Sequence, residues 1–168
     1  MNILVRNAHP SEAIKTTIIR RDSWLSAYSH IFSKEAIINH FESKIGNPKY
    51  KKQTKQIILN KKMHVAIVDG NLAAMMVIDE IKPRMTKLEV HALYVSPNFQ
   101  RNGLGKILMT KAIDIAKANN IHLLNWFALK DNIVGNSFYQ KLGAKIVSQK
   151  TNTLCGKEVE LVEYNLGI

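Results

Sequence analysis

Apolar and polar residues alternate along this chain with two different periods, and the switches between them mark out the elements. Residues 3–7 read as a short strand. From Pro10 the spacing turns helical, with Ala13, Ile14, Thr17, Ile18, Leu25 and Tyr28 at steps near three and four. Ser33, followed by Glu35 and the run Ala36-Ile37-Ile38, is the N-cap signal of a second helix, which Gly46-Asn47-Pro48 ends. The middle of the chain is strand-like. Residues 63–68 and 72–78 flank Asp69-Gly70-Asn71, a hairpin turn signal, and 88–95 predicts the next strand. Over 104–118 an amphipathic helix is predicted, with Leu104, Ile107, Leu108, Ala112 and Ile115 opposite Lys106, Lys111, Asp114 and Lys117. A strand at 121–129, a helix at 132–142 and closing strands at 145–150 and 157–165 complete the series. Mixed strand–helix alternation after a largely antiparallel start predicts an α/β (α+β) sandwich.

The 168 residues carry no repeat, low-complexity tract or linker, so a single domain over 1–168 is expected. No apolar run is long enough to span a membrane, and residues 1–6 lack the pattern of a secretory leader. Cys155, the one cysteine, sits in an expected hairpin loop at 152–156 and has no internal partner, so a cytoplasmic protein is the expectation. Charge changes the picture more. Lys+Arg number 24 and Asp+Glu 13, a net +11, and residues 43–62 hold seven lysines (Lys44, Lys49, Lys51, Lys52, Lys55, Lys61, Lys62) and no acid. Such a balance suits a polyanion, an anionic surface or a phosphate-bearing cofactor, or equally a solvated lysine face.

The segment Gln100-Arg101-Asn102-Gly103-Leu104-Gly105-Lys106 follows a strand end and the breaker Pro97, and opens straight into the helix at 104–118. A glycine-rich turn there leaves the first helical N–H groups unpaired and aimed, with the helix dipole, at one spot where an anion gains several hydrogen bonds. Gly103 and Gly105 remove bulk near the backbone, and Arg101 and Lys106 add charge. Gln100 stands where a Walker A loop needs its first glycine and Ile107 where it needs Ser or Thr; Leu108 stands where a dinucleotide fingerprint needs its third glycine.

This segment resembles the Q/R-x-x-G-x-G/A signature of the GNAT superfamily of N-acetyltransferases. A second stretch, from Asn132 through Gly135, Phe138 and Tyr139 to Gly143-Ala144, resembles that family's N-x-x-A-x-x-x-Y-x-x-x-G-F segment, with Gly135 for the common Ala and Ala144 for the common Phe. Detailed similarity covers residues 85–147. The resemblance implies a mixed, mostly antiparallel central sheet of about seven strands flanked by about four helices, and a V-shaped opening between the strands at 93–95 and 121–129. It implies acetyl-CoA as co-substrate, with its pyrophosphate on the amides of the 100–106 loop and its pantetheine against Tyr94, Val95 and Asn132. A small-molecule or peptide amine is then the acceptor, neither nucleic acid nor membrane is the expected partner, and pairing of two copies through the closing strands is an expectation to test.

Acetyl transfer to an amine needs a base for the incoming ammonium and an acid for the departing thiolate. Tyr139 is the expected acid: a phenol can donate a proton, and the resemblance places this tyrosine of the second motif beside the cofactor sulfur, as a cofactor-binding residue too. Glu89 is the expected base: a carboxylate in an otherwise apolar strand is costly without water or a partner, and its position 14 residues before Gly103 resembles that of the glutamate that serves as base in histone-type members of the family. Strict alternation puts Glu89, His91, Leu93 and Val95 on one face, so His91 and a water chain stand as alternatives to Glu89. No His, Cys, Asp or Glu group has metal-ligand spacing, and no metal is expected. The competing readings are a basic nucleic-acid-binding domain and a non-catalytic acyl-CoA-binding domain.

Overall fold

The computed structural model describes residues 1–168. In chain order it runs β1 (Ile3–Asn7), a 3-10 turn (Pro10–Glu12), α1 (Ala13–Tyr28), α2 (Lys34–Gly46), α3 (Pro48–Leu59), β2 (Met63–Val68), β3 (Asn71–Ile78), β4 (Leu88–Val95), a second 3-10 turn (Pro97–Phe99), α4 (Leu104–Ala118), β5 (Leu123–Leu129), α5 (Ile133–Lys141), β6 (Lys145–Leu154) and β7 (Lys157–Gly167). The strands form one seven-stranded sheet in the order β1-β2-β3-β4-β5-β7-β6. Every neighbouring pair is antiparallel except β4 and β5. The mixed, mostly antiparallel α/β architecture is the expected one, with five α-helices rather than about four. No helix is long and apolar enough to cross a membrane.

The helix that sequence patterning missed is α3. Its inward side consists of little more than Thr54 and Ile58, while Lys49, Lys51, Lys52 and Lys55 are exposed, so no apolar stripe announces it. Its start is set locally: Pro48 occupies the first turn, and the Asn47 side chain accepts the N–H groups of Lys49 (2.9 Å) and Tyr50 (3.3 Å). Ser33 caps α2 as expected, accepting the Ala36 N–H at 3.1 Å. In the hairpin turn Asp69 and Gly70 both take positive φ (46° and 81°), the twist that joins β2 to β3. Several boundaries differ from expectation, β3 starting one residue earlier and β7 running on to Gly167 among them. β5 begins at Leu123, and β6 runs on through Leu154, so the closing hairpin turns on Cys155-Gly156 alone.

One face of the sheet packs on α4, whose Leu104, Leu108, Met109, Ala112 and Ala116 are buried, and on Phe138, Tyr139 and Leu142 of the α5 region. The opposite face packs on α1, α2 and α3. The buried side of α1 is Ala13, Thr16, Thr17, Ile19, Ser23, Trp24 and Tyr28, whereas Ile14 is 44% exposed; the real stripe is rotated from the apolar one because two threonines and a serine are buried on it. Thr16 and Thr17 satisfy their hydroxyls on the Ala13 carbonyl, both at 3.0 Å.

Entry into α1 is fixed by a two-pronged ion pair, Arg6 Nη1 to Glu12 Oε2 at 2.9 Å and Arg6 Nη2 to Glu12 Oε1 at 2.7 Å, while the His9 N–H donates to Glu12 Oε2 at 2.7 Å. The Arg6 hydrogen bonds and the His9 N–H hold the Glu12 carboxyl below its usual range. A depressed carboxyl adds stability above its unfolded-state pKa and loses it as pH falls through the folded-state value. Glu12→Gln should therefore lower stability at neutral pH by about 1 kcal/mol. The difference from wild type should begin to shrink as pH falls below the ordinary glutamate range and vanish once the folded-state carboxyl is protonated, as measured by denaturant unfolding at each pH.

Candidate active site

β4 and β5 pair only at Leu88 with Leu124 and at Glu89 with Asn125. Beyond these two positions the strands part. The gap opens into a cleft of about 680 Å³, lined by β4 from Val90 to Val95, the loop before α4, Trp126 to Ala128 of β5, the start of α5, and Ser23 to Tyr28 of α1. The expected opening between β4 and β5 is present.

The parting begins at a β-bulge. Val77 pairs with Ala92, but Ile78 pairs with Val90, so His91 is an extra residue in β4. An extra residue reverses alternation. Leu88 and Val90 face the α4 side, and so do Leu93 and Val95, while Ala92 and Tyr94 face α1. Glu89, His91, Leu93 and Val95 therefore do not share one face, contrary to the strict alternation expected from sequence.

On the floor of the cleft, Gly103 caps α4 in the left-handed region (φ 76°), and no side chain caps the helix. The first hydrogen bond of the turn runs from the Ile107 N–H to the Gly103 carbonyl at 3.0 Å, which leaves the N–H groups of Leu104, Gly105 and Lys106 unpaired. Gln100, Arg101, Gly103, Leu104, Gly105 and Lys106 line the cleft; Asn102 does not, its amide donating to the Phe99 carbonyl at 3.3 Å. The two glycines differ. Gly103 supplies the positive φ, whereas Gly105 lies under the ring of Phe138, which a Cβ there would meet at 3.4 Å, an ordinary contact distance.

Tyr94, Val95, Asn132 and Tyr139 also line the cleft. The Val95 carbonyl is already engaged, accepting from Ser23 Oγ at 2.9 Å and Gln100 Nε2 at 3.3 Å. Tyr94 accepts the indole N–H of Trp24 at 3.1 Å. Asn132 caps α5 by accepting the Gly135 N–H at 3.0 Å and donates to the Tyr28 hydroxyl at 3.2 Å, joining α5 to α1 across the cleft. A Cβ at Gly135 would fall 2.3 Å from Asn132 Nδ2, so glycine here is what this Asn132 conformation requires. Tyr139 rests between Trp126 and Tyr164, at ring separations of 5.0 and 5.3 Å. Burial, with Tyr94 and Tyr164 nearby, pushes its phenol well above the usual tyrosine range, so it keeps its proton at any physiological pH.

Glu89 does not line the cleft; His91 does. The hairpin register brings Asp79 to them, a neighbour that spacing along the chain conceals. His91 Nε2 lies 2.6 Å from Asp79 Oδ1, and His91 Nδ1 lies 3.2 Å from Glu89 Oε1. One ligand-type atom from each residue lies within 4.8 Å of the others, a metal-like grouping the sequence did not reveal, although here each partner meets another side chain. Both nitrogens of His91 are thus occupied, while Glu89 Oε2 makes no hydrogen bond.

The profile of the acetyltransferase (GNAT) family matches residues 22–144. The chain belongs to this family of acyltransferases. The spermidine N(1)-acetyltransferase of Thermoplasma acidophilum is 30% identical to it over 138 residues, 80% of this chain and 84% of that protein. The PaiA N-acetyltransferase of the same organism, solved in complex with coenzyme A, matches with a TM-score of 0.78 at 25% identity, over 97% of this chain and 98% of that one. A GCN5-related N-acetyltransferase from Rhodopseudomonas palustris shares the fold with a TM-score of 0.79 at 16% identity, over 100% and 97%. None of the lysines of α3 lines the cleft.

Asn132→Ala removes both the α5 cap and the bridge to Tyr28. It should cost about 1 kcal/mol of stability, read from the shift in a denaturant midpoint.

Proposed function

We propose that the protein transfers the acetyl group of acetyl-CoA directly to a primary amine of a small molecule, with polyamines the best-fitting acceptors. The observation that carries this reading is that the unpaired N–H groups at the start of α4 and the protonated phenol of Tyr139 from α5 open onto one cleft. The residues fit the group: three backbone donors, the helix dipole, Arg101 and Lys106 suit a pyrophosphate. The gap between β4 and β5 suits an extended pantetheine arm beside Tyr94, Val95 and Asn132.

Tyr139 protonates the departing thiolate, and its raised pKa keeps that proton in place until it is needed. Glu89 is the base. Its Oε2 is the open acceptor of the Asp79–His91–Glu89 group, and because Glu89 stands back from the cleft, a water beside His91 carries the proton to it. The same carboxylates support a cationic acceptor: on a chain of net +11, Asp79 and Glu89 set negative charge next to a cleft-lining residue. The relative from Thermoplasma acidophilum, named for spermidine, supports the same class.

Titration calorimetry of acetyl-CoA into wild type and Gly103→Glu tests the cofactor site. Micromolar binding by wild type and its loss in the variant is the expected result, since the added carboxylate opposes the pyrophosphate and glutamate is strained at φ 76°. No heat with wild type would sink the reading.

For the chemistry, Tyr139→Phe and Glu89→Gln should each lower kcat about 10²-fold with spermidine as acceptor, leaving the acetyl-CoA affinity unchanged. Tyr139 should impose no fall in rate between pH 8 and 10, because its proton is held above the ordinary phenol range. Unchanged kcat in either variant would remove that residue from its role.

A further inference from the structure

Of the nineteen lysines, Lys44 has the most unusual surroundings. It lies in the last turn of α2 and turns inward, half-buried, with Nζ 2.7 Å from His40 Nε2. The ammonium lies 5.3 Å from the centre of the Phe41 ring and 5.7 Å from that of Tyr50 on α3. Arg20 of α1 reaches into the same cluster, 6.0 Å from the Phe41 centre and donating to the Tyr50 hydroxyl at 3.1 Å. Cys155, at the β6–β7 turn, packs against this aromatic group. No carboxylate pairs with Lys44 or Arg20 anywhere in the fold. Two cations thus share an aromatic box with only neutral partners, although acids pair with the neighbouring Arg21.

We propose that Lys44 is a modification site, an amine that takes acyl groups from thioesters such as acetyl-CoA in solution ahead of the other lysines of the chain. The Nζ lone pair attacks the thioester carbonyl carbon, the C–N bond forms and the C–S bond breaks with its electron pair on sulfur. The ammonium proton passes through solvent to the thiolate, giving an acetamide on Lys44 and the free thiol of coenzyme A. Nothing in this step uses the cleft.

Burial and the Arg20 guanidinium push the Lys44 pKa down to about 8, with Cys155 opposing, so a sizeable fraction of the amine is neutral where exposed lysines are almost wholly charged. A chain of contacts also links the site to the cleft. His40 stacks on Trp24 at 5.7 Å, and the Trp24 indole N–H holds the Tyr94 hydroxyl in the cleft wall.

The test is to incubate the full-length protein with acetyl-CoA from pH 6.5 to 10 and follow acetylation residue by residue by peptide mass spectrometry. At pH 7.5 Lys44 should be acetylated about tenfold faster than Lys51, Lys52 and Lys55, the gain in neutral amine being partly offset by its lower nucleophilicity. Its rate should level off above about pH 8 while theirs keep rising. Trace labelling with acetic anhydride should give the same ranking, and Arg20→Gln should slow Lys44 several-fold without changing Lys51. Equal or slower labelling of Lys44, a rate still climbing at pH 10, or labelling by acetyl-CoA but not by the anhydride would each overturn the proposal.

Discussion

The structure depends on a sheet that comes apart in its middle. β4 and β5 share two paired positions, and past Glu89 neither strand has the other as a hydrogen-bonding neighbour. Unpaired backbone inside a protein is costly, so a split of this kind persists only where something else supports both edges. On one side β4 belongs to the four-stranded run with β1, β2 and β3; on the other, β5 belongs to the run with β7 and β6. α1 and α5 hold the rim. Ser23 donates to the Val95 carbonyl, and Asn132 donates to Tyr28, so the two halves are tied at the mouth rather than along their edges. What remains is a slot with backbone groups on its walls, the shape an extended amide-bearing arm can enter as another strand does.

The bulge at His91 is what lets β4 serve two masters. Before it, Leu88 and Val90 pack against α4; after it, alternation is reset so that Tyr94 faces α1 while Leu93 and Val95 return to the α4 side. The extra residue also turns His91 toward the cleft with a carboxylate on each ring nitrogen. Without the bulge, Tyr94 would change faces. It would lose the Trp24 indole on one side and the Arg20 guanidinium, 5.5 Å from its ring centre, on the other.

Much of this was legible in the sequence, and the parts that were not have physical causes. α4 could be read to the residue because its polar and apolar faces are cleanly separated, and its glycine-rich start was legible through its resemblance to the family signature, since a G-x-G turn alone also suits a simple tight turn. Tyr139 and Asn132 could be placed by their motif, and both stand in the cleft. Periodicity failed where the backbone departs from regularity: one inserted residue at His91 inverted the expected face of Leu93 and Val95. Asp79 was invisible because its nearness to His91 depends on hairpin register, twelve positions away along the chain. α3 was invisible because burying Thr54 and Ile58 is enough to seat it, and lysines on its outer side give no apolar rhythm.

The charge of the chain also divides once it is folded. Read as a sum, +11 suggests a polyanionic partner and argues against a polycationic acceptor. Fixed charges act locally, however, since at physiological salt exposed ones are screened beyond about 8 Å. The lysines of α3 stand outside the cleft, whereas Arg101, Lys106 and the unpaired N–H groups of α4 stand at its floor and Asp79 and Glu89 stand beside its wall at His91. The cleft therefore presents positive charge at the end suited to phosphates, while negative charge stands behind its wall at His91 near the bulge in β4. That division suits the proposed phosphate-bearing donor and the proposed cationic acceptor at separate ends, an arrangement that the net charge alone conceals.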